Sequence, residues 1–304
     1  MEFSKLFGFL SILKESLQLL PRNKKLLALS SFLYFPLSSI LFSILNFKLK
    51  FLIHDIIFKA SLLSTSIHNT LKIKKICGDI KEDFRILLSI YVTILVVLSL
   101  LSFLYAIATI ILSSISYNNT NILLKDFVFK IPKAFKYAII TRLYTYMFSI
   151  GYFLIVLFFL SPILISSSNI FLYSIGIFVG IIFFLFYRYL SVVWILALVI
   201  SVIEEDCYGI KAIANAGRLI KGNILNGFML NILSSIISLL LYQSYLKIKP
   251  KGVVNQTLMS IFLVFSSSLF SFLLLVAYTV LYSHCKKNHK EEVELEGNFE
   301  YSKV

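Results

Sequence analysis

The chain is short of charge. Only 14% of its 304 residues are Asp, Glu, Lys or Arg, against 59% hydrophobic, and the mean hydropathy is +0.89. A water-soluble domain carries about 25% charged and about 45–50% apolar residues, so the polar surface needed to dissolve this chain is missing. Acid is scarcer than base: 15 acidic residues stand against 29 basic ones, a net +14. Three cysteines, Cys77, Cys207 and Cys285, make no disulfide framework. No P-loop, GxSxG, HExxH or Rossmann glycine pattern occurs. His284, Cys285 and His289 lie close together, but no fourth ligand follows at metal-site spacing. No catalytic residue, metal or cofactor is therefore expected.

What the chain does have is long apolar text. A helical span needs about 20 mostly apolar residues, because each adds ~1.5 Å against a ~30 Å hydrocarbon core. Six stretches qualify, 26–46, 88–113, 143–166, 170–187, 224–242 and 257–282, and none contains Lys, Arg, Asp or Glu. The runs are continuous, not alternating, which excludes a β-barrel. The expected fold is an all-α polytopic transmembrane helical bundle of about six spans with interfacial amphipathic helices. An N-terminal amphipathic segment (1–25) precedes the membrane domain (26–283), and a polar tail (284–304) follows. Two further segments, 51–68 and 189–203, are apolar enough to embed as well. A single helix over 170–203 would be about 51 Å long at the standard rise. Placing Tyr187, Arg188 and Tyr189 at one interface is the cheaper expectation, with the rest protruding or lying along the membrane. A short seventh span is the alternative. Residues 167–169 alone separate the third and fourth stretches, which forces a helical hairpin with Pro162 able to kink its entry. Gly176 and Gly180 form a GxxxG pattern that permits close helix approach, although glycine is common in membrane helices generally.

Charge sets the threading. With both termini cytosolic, 18 basic residues fall on the cytosolic side and 11 on the other, as the positive-inside rule favours. The first loop, 47–85, is discordant: it places eight basic residues on the far side. The excess of base is read as orientation, and no nucleic-acid partner is expected. The expected partners are the bilayer, its anionic lipids and other membrane proteins. The sequence does not choose between endomembrane and plasma membrane. Lys14 and Glu15 interrupt the N-terminal apolar text, so no cleavable signal peptide is expected. Residues 3–20 instead read as an interfacial helix, with Phe3, Leu6, Phe7, Leu10, Leu13, Leu17 and Leu20 at three-and-four spacing and Pro21 ending it. The sequons at Asn118 and Asn255 sit close to span ends and are expected to stay unmodified.

Two polar segments carry candidate contacts. In 204–227, Glu204, Glu205 and Asp206 precede a short helix and meet the positive end of its dipole, while Arg218 and Lys221 occupy its last turn. Ile210, Ile213 and Ile220 mark one face of that helix, Ala212, Ala214, Ala216 and Gly217 are small enough for close packing, and Gly222 suits its C-cap. The acids have a functional reading as an ion or lipid-headgroup site, but capping and snorkelling account for the same residues. In 125–137, Lys130, Lys133 and Lys136 alternate with aromatics beside a span. This suits anionic lipid at about 1 kcal/mol per Lys and also an ordinary positive-inside flank. Cys285, beside Lys286 and Lys287, is a palmitoylation candidate. The Glu-rich tail reads as solvated and disordered.

Three pieces of text carry a resemblance: WILALVISVIEEDCYGIKAIANAGRLIKGNILNGFML, LLKDFVFKIPKAFKYAIITRLYTYMF and VAYTVLYSHCKKNH. Together they resemble a plant family of uncharacterised multi-pass membrane proteins. In that family a Trp-led span leads to acids, Tyr-Gly, a short Ala/Ser-rich helix and Leu-x-Lys-Gly. More distantly, the pattern is similar to the membrane domain attached to some bacterial glycerophosphodiester phosphodiesterases, without the catalytic domain. The resemblance implies about six spans in a plant endomembrane or plasma membrane, and no activity. The leading functional expectation is a non-enzymatic membrane component that engages lipid or a partner. A channel or uncoupled transporter lined by Ser and Thr hydroxyls is the alternative. A headgroup enzyme using Glu204, Glu205 and Asp206 is a distant third.

Overall fold

The computed structural model describes residues 8–19, 21, 24–65, 70–118, 124–165, 170–204, 206–248 and 253–301. Among them the chain is all α, with no strand. Its helices are α1 (Gly8–Leu19), α2 (Lys24–Thr65), α3 (Thr70–Tyr117), α4 (Leu124–Ile165), α5 (Ile170–Ile203), α6 (Ile210–Leu219), α7 (Ile224–Ile248) and α8 (Val253–Tyr301). A 3-10 turn, Ile220–Gly222, joins α6 to α7. Among the described residues, five helices contain stretches long and apolar enough to cross a membrane: Ile73–Tyr117, Lys125–Ser161, Ser174–Ile203, Ile224–Ser244 and Ile261–His289. By length and composition this is an integral membrane protein. The first apolar stretch, 26–46, belongs to α2, in which Tyr34–Ile44 is a shorter apolar piece.

Three expectations change. The first loop is not a loop, because α2 runs on to Thr65 and α3 begins at Thr70. Residues 47–65 contain no glycine or proline, so nothing in them stops a helix. Second, 170–203 is one unbroken helix, so of the alternatives for its second half the turn and the separate seventh span are not formed and the continuous, protruding helix is the one that agrees. Arg188 therefore lies inside a candidate span. Its guanidinium donates to Asn231 Oδ1 (3.2 Å) and stands 4.8 Å from the Phe184 ring centre. Third, α8 continues through the charged tail to Tyr301, where disorder was expected. Lys and Glu are good helix formers, so the text beyond the span does not end the helix.

The chain divides into two compact units. Unit 1 comprises Met1–Ala28, Ala106–Leu240 and Phe270–Val304; unit 2 comprises Leu29–Tyr105 and Leu241–Leu269. In unit 2, Tyr34 stacks on Tyr105 (4.2 Å between ring centres) and Phe35 meets Phe265 edge-on at 5.1 Å. Lys59, one of the basic residues assigned to the first loop, pairs with Asp55 (2.9 Å) and with Asp83.

The core of unit 1 lies among the last turns of α3, the second half of α5 and the middle of α8. Ile107, Ile110, Leu196, Val199, Ile200, Val280 and Leu281 are all fully buried there. Helices in lipid gain little from apolar burial and associate through close packing. Gly227 on α7 serves this: a Cβ there would stand 2.6 Å from Val192 Cγ1 on α5. Hydroxyls inside the core bond back along their own helices, Ser201 to the Leu198 carbonyl and Thr279 to the Leu275 carbonyl (both 2.9 Å). Across the α4–α5 hairpin, Tyr152 donates to the Phe183 carbonyl at 2.5 Å. Gly180 of the GxxxG pattern has open space where a Cβ would be, so no helix approaches it closely within unit 1. The outer face of the hairpin is large and apolar, with Phe158 74% and Phe178 65% exposed.

Candidate interfacial site

The segment between α5 and α7 folds back on its neighbours through three sets of contacts. Glu204, just past the end of α5, accepts from Tyr282 Oη (2.5 Å) and from Lys286 Nζ (2.6 Å), both on α8. Lys286 also bonds Tyr282 Oη (3.0 Å) and stands 5.5 Å from its ring centre. The pair sits one helical turn apart on a single face, so both polar ends reach the same carboxylate. Burial pushes the Glu204 carboxyl up. The hydrogen bonds from Lys286 and Tyr282, with the Lys286 charge, outweigh that and hold it below its ordinary value.

Tyr208 and Gly209 dock on α4. The Tyr208 ring stacks on Tyr137 at 5.0 Å. The Gly209 amide donates to Thr141 Oγ1 (2.8 Å). Gly209 has φ +61°, and a Cβ there would meet the Tyr144 ring at 3.3 Å, so both backbone and space call for glycine. Gly209 is also the N-cap of α6, with no side-chain cap bond. Among the described residues, no acid side chain caps α6. Glu204 is drawn to α8, Asp206 is exposed and Glu205 lies outside the described residues. Cys207 accepts from Asn215 at 3.7 Å, and burial pushes its thiol up.

The packed face of α6 is built on two of the small residues suited to close packing, Ala212 and Ala216, together with Ile220 of the isoleucine face. Ala212, Ala216 and Ile220 are fully buried, whereas Ile210 is 56% exposed. Small residues at four-residue spacing let α6 lie close against its neighbours, which a stripe of isoleucines would not. Arg218 is exposed in the last turn of α6, and Lys221 is exposed in the 3-10 turn. Gly222 lies within that turn; Ile220, in right-handed conformation, is the C-cap.

Lys130 and Lys133 line one cavity of about 130 Å³, together with Ile111, Ser114 and Ile115 of α3, Ala134 and Tyr137 of α4, and Val202 and Ile203 of α5. Lys136, on the same helix, is exposed but does not line it. In the same unit, α1 buries Ile12, Ser16 and Leu19 and leaves Leu10 and Leu17 about half exposed. Leu10 and Leu17 of the expected apolar stripe thus lie on its outward side; Phe3, Leu6, Phe7 and Leu20 lie outside the described residues. Glu15 of α1 meets His284 Nε2 of α8 at 2.7 Å. Cys285, the palmitoylation candidate, is 1% exposed inside α8.

Sequence reasoning missed Tyr282, Lys286, Thr141 and the Arg188–Asn231 pair. The Tyr282–Lys286 spacing was a readable signal; nothing in the sequence said which carboxylate it meets.

Compared with known proteins, the chain matches a family profile over residues 2–299, and that family is described as a domain of unknown function (DUF8558). No curated protein and no solved structure matches it.

Proposed function

The chain belongs to this family of unknown function, and from that premise we propose a multi-pass, non-enzymatic membrane component whose interfacial helices engage lipid or a membrane-protein partner. One observation carries this reading. Helix α1 is apolar on two faces: Ile12 and Leu19 pack on the protein, while Leu10 and Leu17 point away from it. A short helix with a free apolar stripe beside Lys14 suits the headgroup boundary. The resemblance to plant multi-pass proteins, and the more distant one to the phosphodiesterase membrane domain, belong to this proposal. They rest on the loop text alone and supply no reaction.

A channel or uncoupled transporter is the second reading. It is favoured by Arg188 and Asn231 lying inside candidate spans, where ionisable groups commonly mark a pathway. Against it, the hydroxyl-lined space among Thr109, Ser113 and Ser116 is only about 10 Å³, room for one water. Proteoliposomes decide between the two. The full chain is expected to carry no saturable flux of small solutes, and saturable flux abolished by Asn231→Leu overturns the leading reading.

A further inference from the structure

The groove along the α4–α5 hairpin is set apart by the charge at one end of it. It encloses about 510 Å³, within the usual size of a small-molecule site, and its wall is mostly apolar. Tyr152, Phe153 and Val156 on α4 face Gly180, Phe183 and Phe184 on α5. Gly180 has open space where a Cβ would be, so the groove stays clear along α5. All of its lining belongs to unit 1.

The charge is Arg188. Its guanidinium stands 4.8 Å from the ring centre of the groove residue Phe184, one turn back along α5. Side chains on a helix lean toward its N-terminus, so Arg188 reaches back toward the groove. Its depth follows from the hairpin. Tyr152 bonds the Phe183 carbonyl, which sets those two residues level. Arg142, the last charge before the apolar run 143–166, precedes Tyr152 by about 15 Å of helix, whereas Arg188 follows Phe183 by only about 7.5 Å. The guanidinium therefore lies about 7 Å or more inside the level of Arg142. Its donors are mostly unmet. A guanidinium has five N–H groups; among the described residues its acceptor is Asn231 Oδ1, and no carboxylate pairs with it. Glu204, the next acid along the chain, is about 24 Å further up the helix and is matched by Tyr282 and Lys286.

From this placement we propose that the α4–α5 groove binds a long-chain fatty acid as its anion, with the alkyl chain along Phe153, Val156, Gly180 and Phe183 and the carboxylate accepting from the Arg188 guanidinium. A planar carboxylate matches the planar guanidinium fork. A phospholipid phosphate is tied through its glycerol to the headgroup level, outside the guanidinium. A free fatty acid has no such tether and sinks to it. An uncharged apolar molecule fills the groove but leaves the guanidinium donors unmet. The inference rests on the proposed lipid-engaging membrane reading and names the lipid class and the place of that engagement. The plainer role of Arg188 is to hold α7 through Asn231, and the experiment separates the two.

The test photolabels the purified full chain in phosphatidylcholine nanodiscs with a diazirine-bearing palmitate and maps the labelled peptides. Wild type is expected to label saturably on the groove stretches of α4 and α5. Palmitate is expected to displace the probe, and methyl palmitate and dipalmitoyl phosphatidic acid are not. Arg188→Gln is expected to weaken palmitate roughly tenfold or more, the worth of a hydrogen bond to a charged group. Gly180→Leu fills the groove at a position with free space, so it is expected to weaken palmitate similarly at an unchanged melting temperature. Gly151→Leu, equally open but off the groove, is expected to leave binding unchanged. Absence of saturable labelling in wild type overturns the proposal. Equal displacement by methyl palmitate removes the role of the charge and overturns it. Equal displacement by phosphatidic acid makes the ligand a phospholipid and overturns the fatty-acid assignment. Unchanged affinity in Gly180→Leu, or an equal loss in Gly151→Leu, overturns the placement. A lowered melting temperature with unchanged affinity in Arg188→Gln assigns Arg188 to the α7 contact alone and overturns it too. Failure here with no solute flux leaves the parent reading standing, whereas saturable flux of small solutes removes that reading whatever the labels show.

Discussion

Glu204 is the residue on which the interface turns. It joins the end of α5 to α8, through one hydroxyl and one ammonium group. Because its folded carboxyl titrates below the ordinary 4.5, folding favours the ionised form. That stability is present above pH 4.5 and is lost as pH falls through the lowered folded value. Glu204→Gln is therefore expected to destabilise the chain at neutral pH by about 1–2 kcal/mol, the range for hydrogen bonds to a partly exposed charge. The difference from wild type should shrink below pH 4.5. Thermal melts of both chains across pH check it, and an equal gap at pH 3 and pH 7 sinks the ionic account. The three acids were visible in the sequence as a cluster. Which of them mattered was not, since Lys286 lies 82 residues away.

At the scale of elements, the α5–α7 contact joins a polar pair to a close approach. Asn231 accepts from Arg188 and returns a bond to its carbonyl (both 3.2 Å), while Gly227, one turn earlier on α7, admits Val192. Asn231→Leu keeps the volume and removes both bonds. An interhelical hydrogen bond in a membrane averages only roughly 0.6 kcal/mol, but stranding the guanidinium adds the desolvation of an unmet charge. A loss of about 1–2 kcal/mol is expected in detergent unfolding. A loss no larger than that of Ser235→Ala, whose hydroxyl only bonds its own helix at Asn231, would mean that Arg188 finds another partner. Periodicity read the amphipathic elements as helices, and the small residues of α6 suited to close packing include its buried Ala212 and Ala216, whereas nothing in the pattern singled out Ser16 as a buried residue of α1. Hydrophobicity ranks Leu10, Leu17 and Ile210 above Ser16, Ala212 and Ala216. In a membrane protein the reverse ranking holds at contacts, because small side chains pack helix against helix and large apolar ones face lipid.

For the molecule as a whole, threading is the open quantity with a direct readout. Both termini are proposed to be cytosolic. A glycosylation tag placed after Val304 should stay unmodified, and one within 167–169 should be modified, when each extends far enough from the bilayer. A modified C-terminal tag overturns the threading. The basic first loop, the weak point of the charge argument, is two helices in which Lys59 is held by Asp55 and Asp83. Part of its charge is thus committed to structure and is a poor guide to orientation.

Hydropathy is a local property, summed over neighbours in the chain. The sequence by itself therefore determined that the protein is helical, belongs to a membrane and keeps Lys, Arg, Asp and Glu out of its six longest apolar runs. Contacts between residues far apart in the chain depend on how helices pack. Only the tertiary structure decided that Glu204 meets Lys286, that Arg188 stays inside an unbroken α5 beside Asn231, and that Lys130 and Lys133 share a cavity that Lys136 does not line. The scarcity of charge noted at the outset makes each of these pairings consequential, because few other charged or polar partners lie within reach.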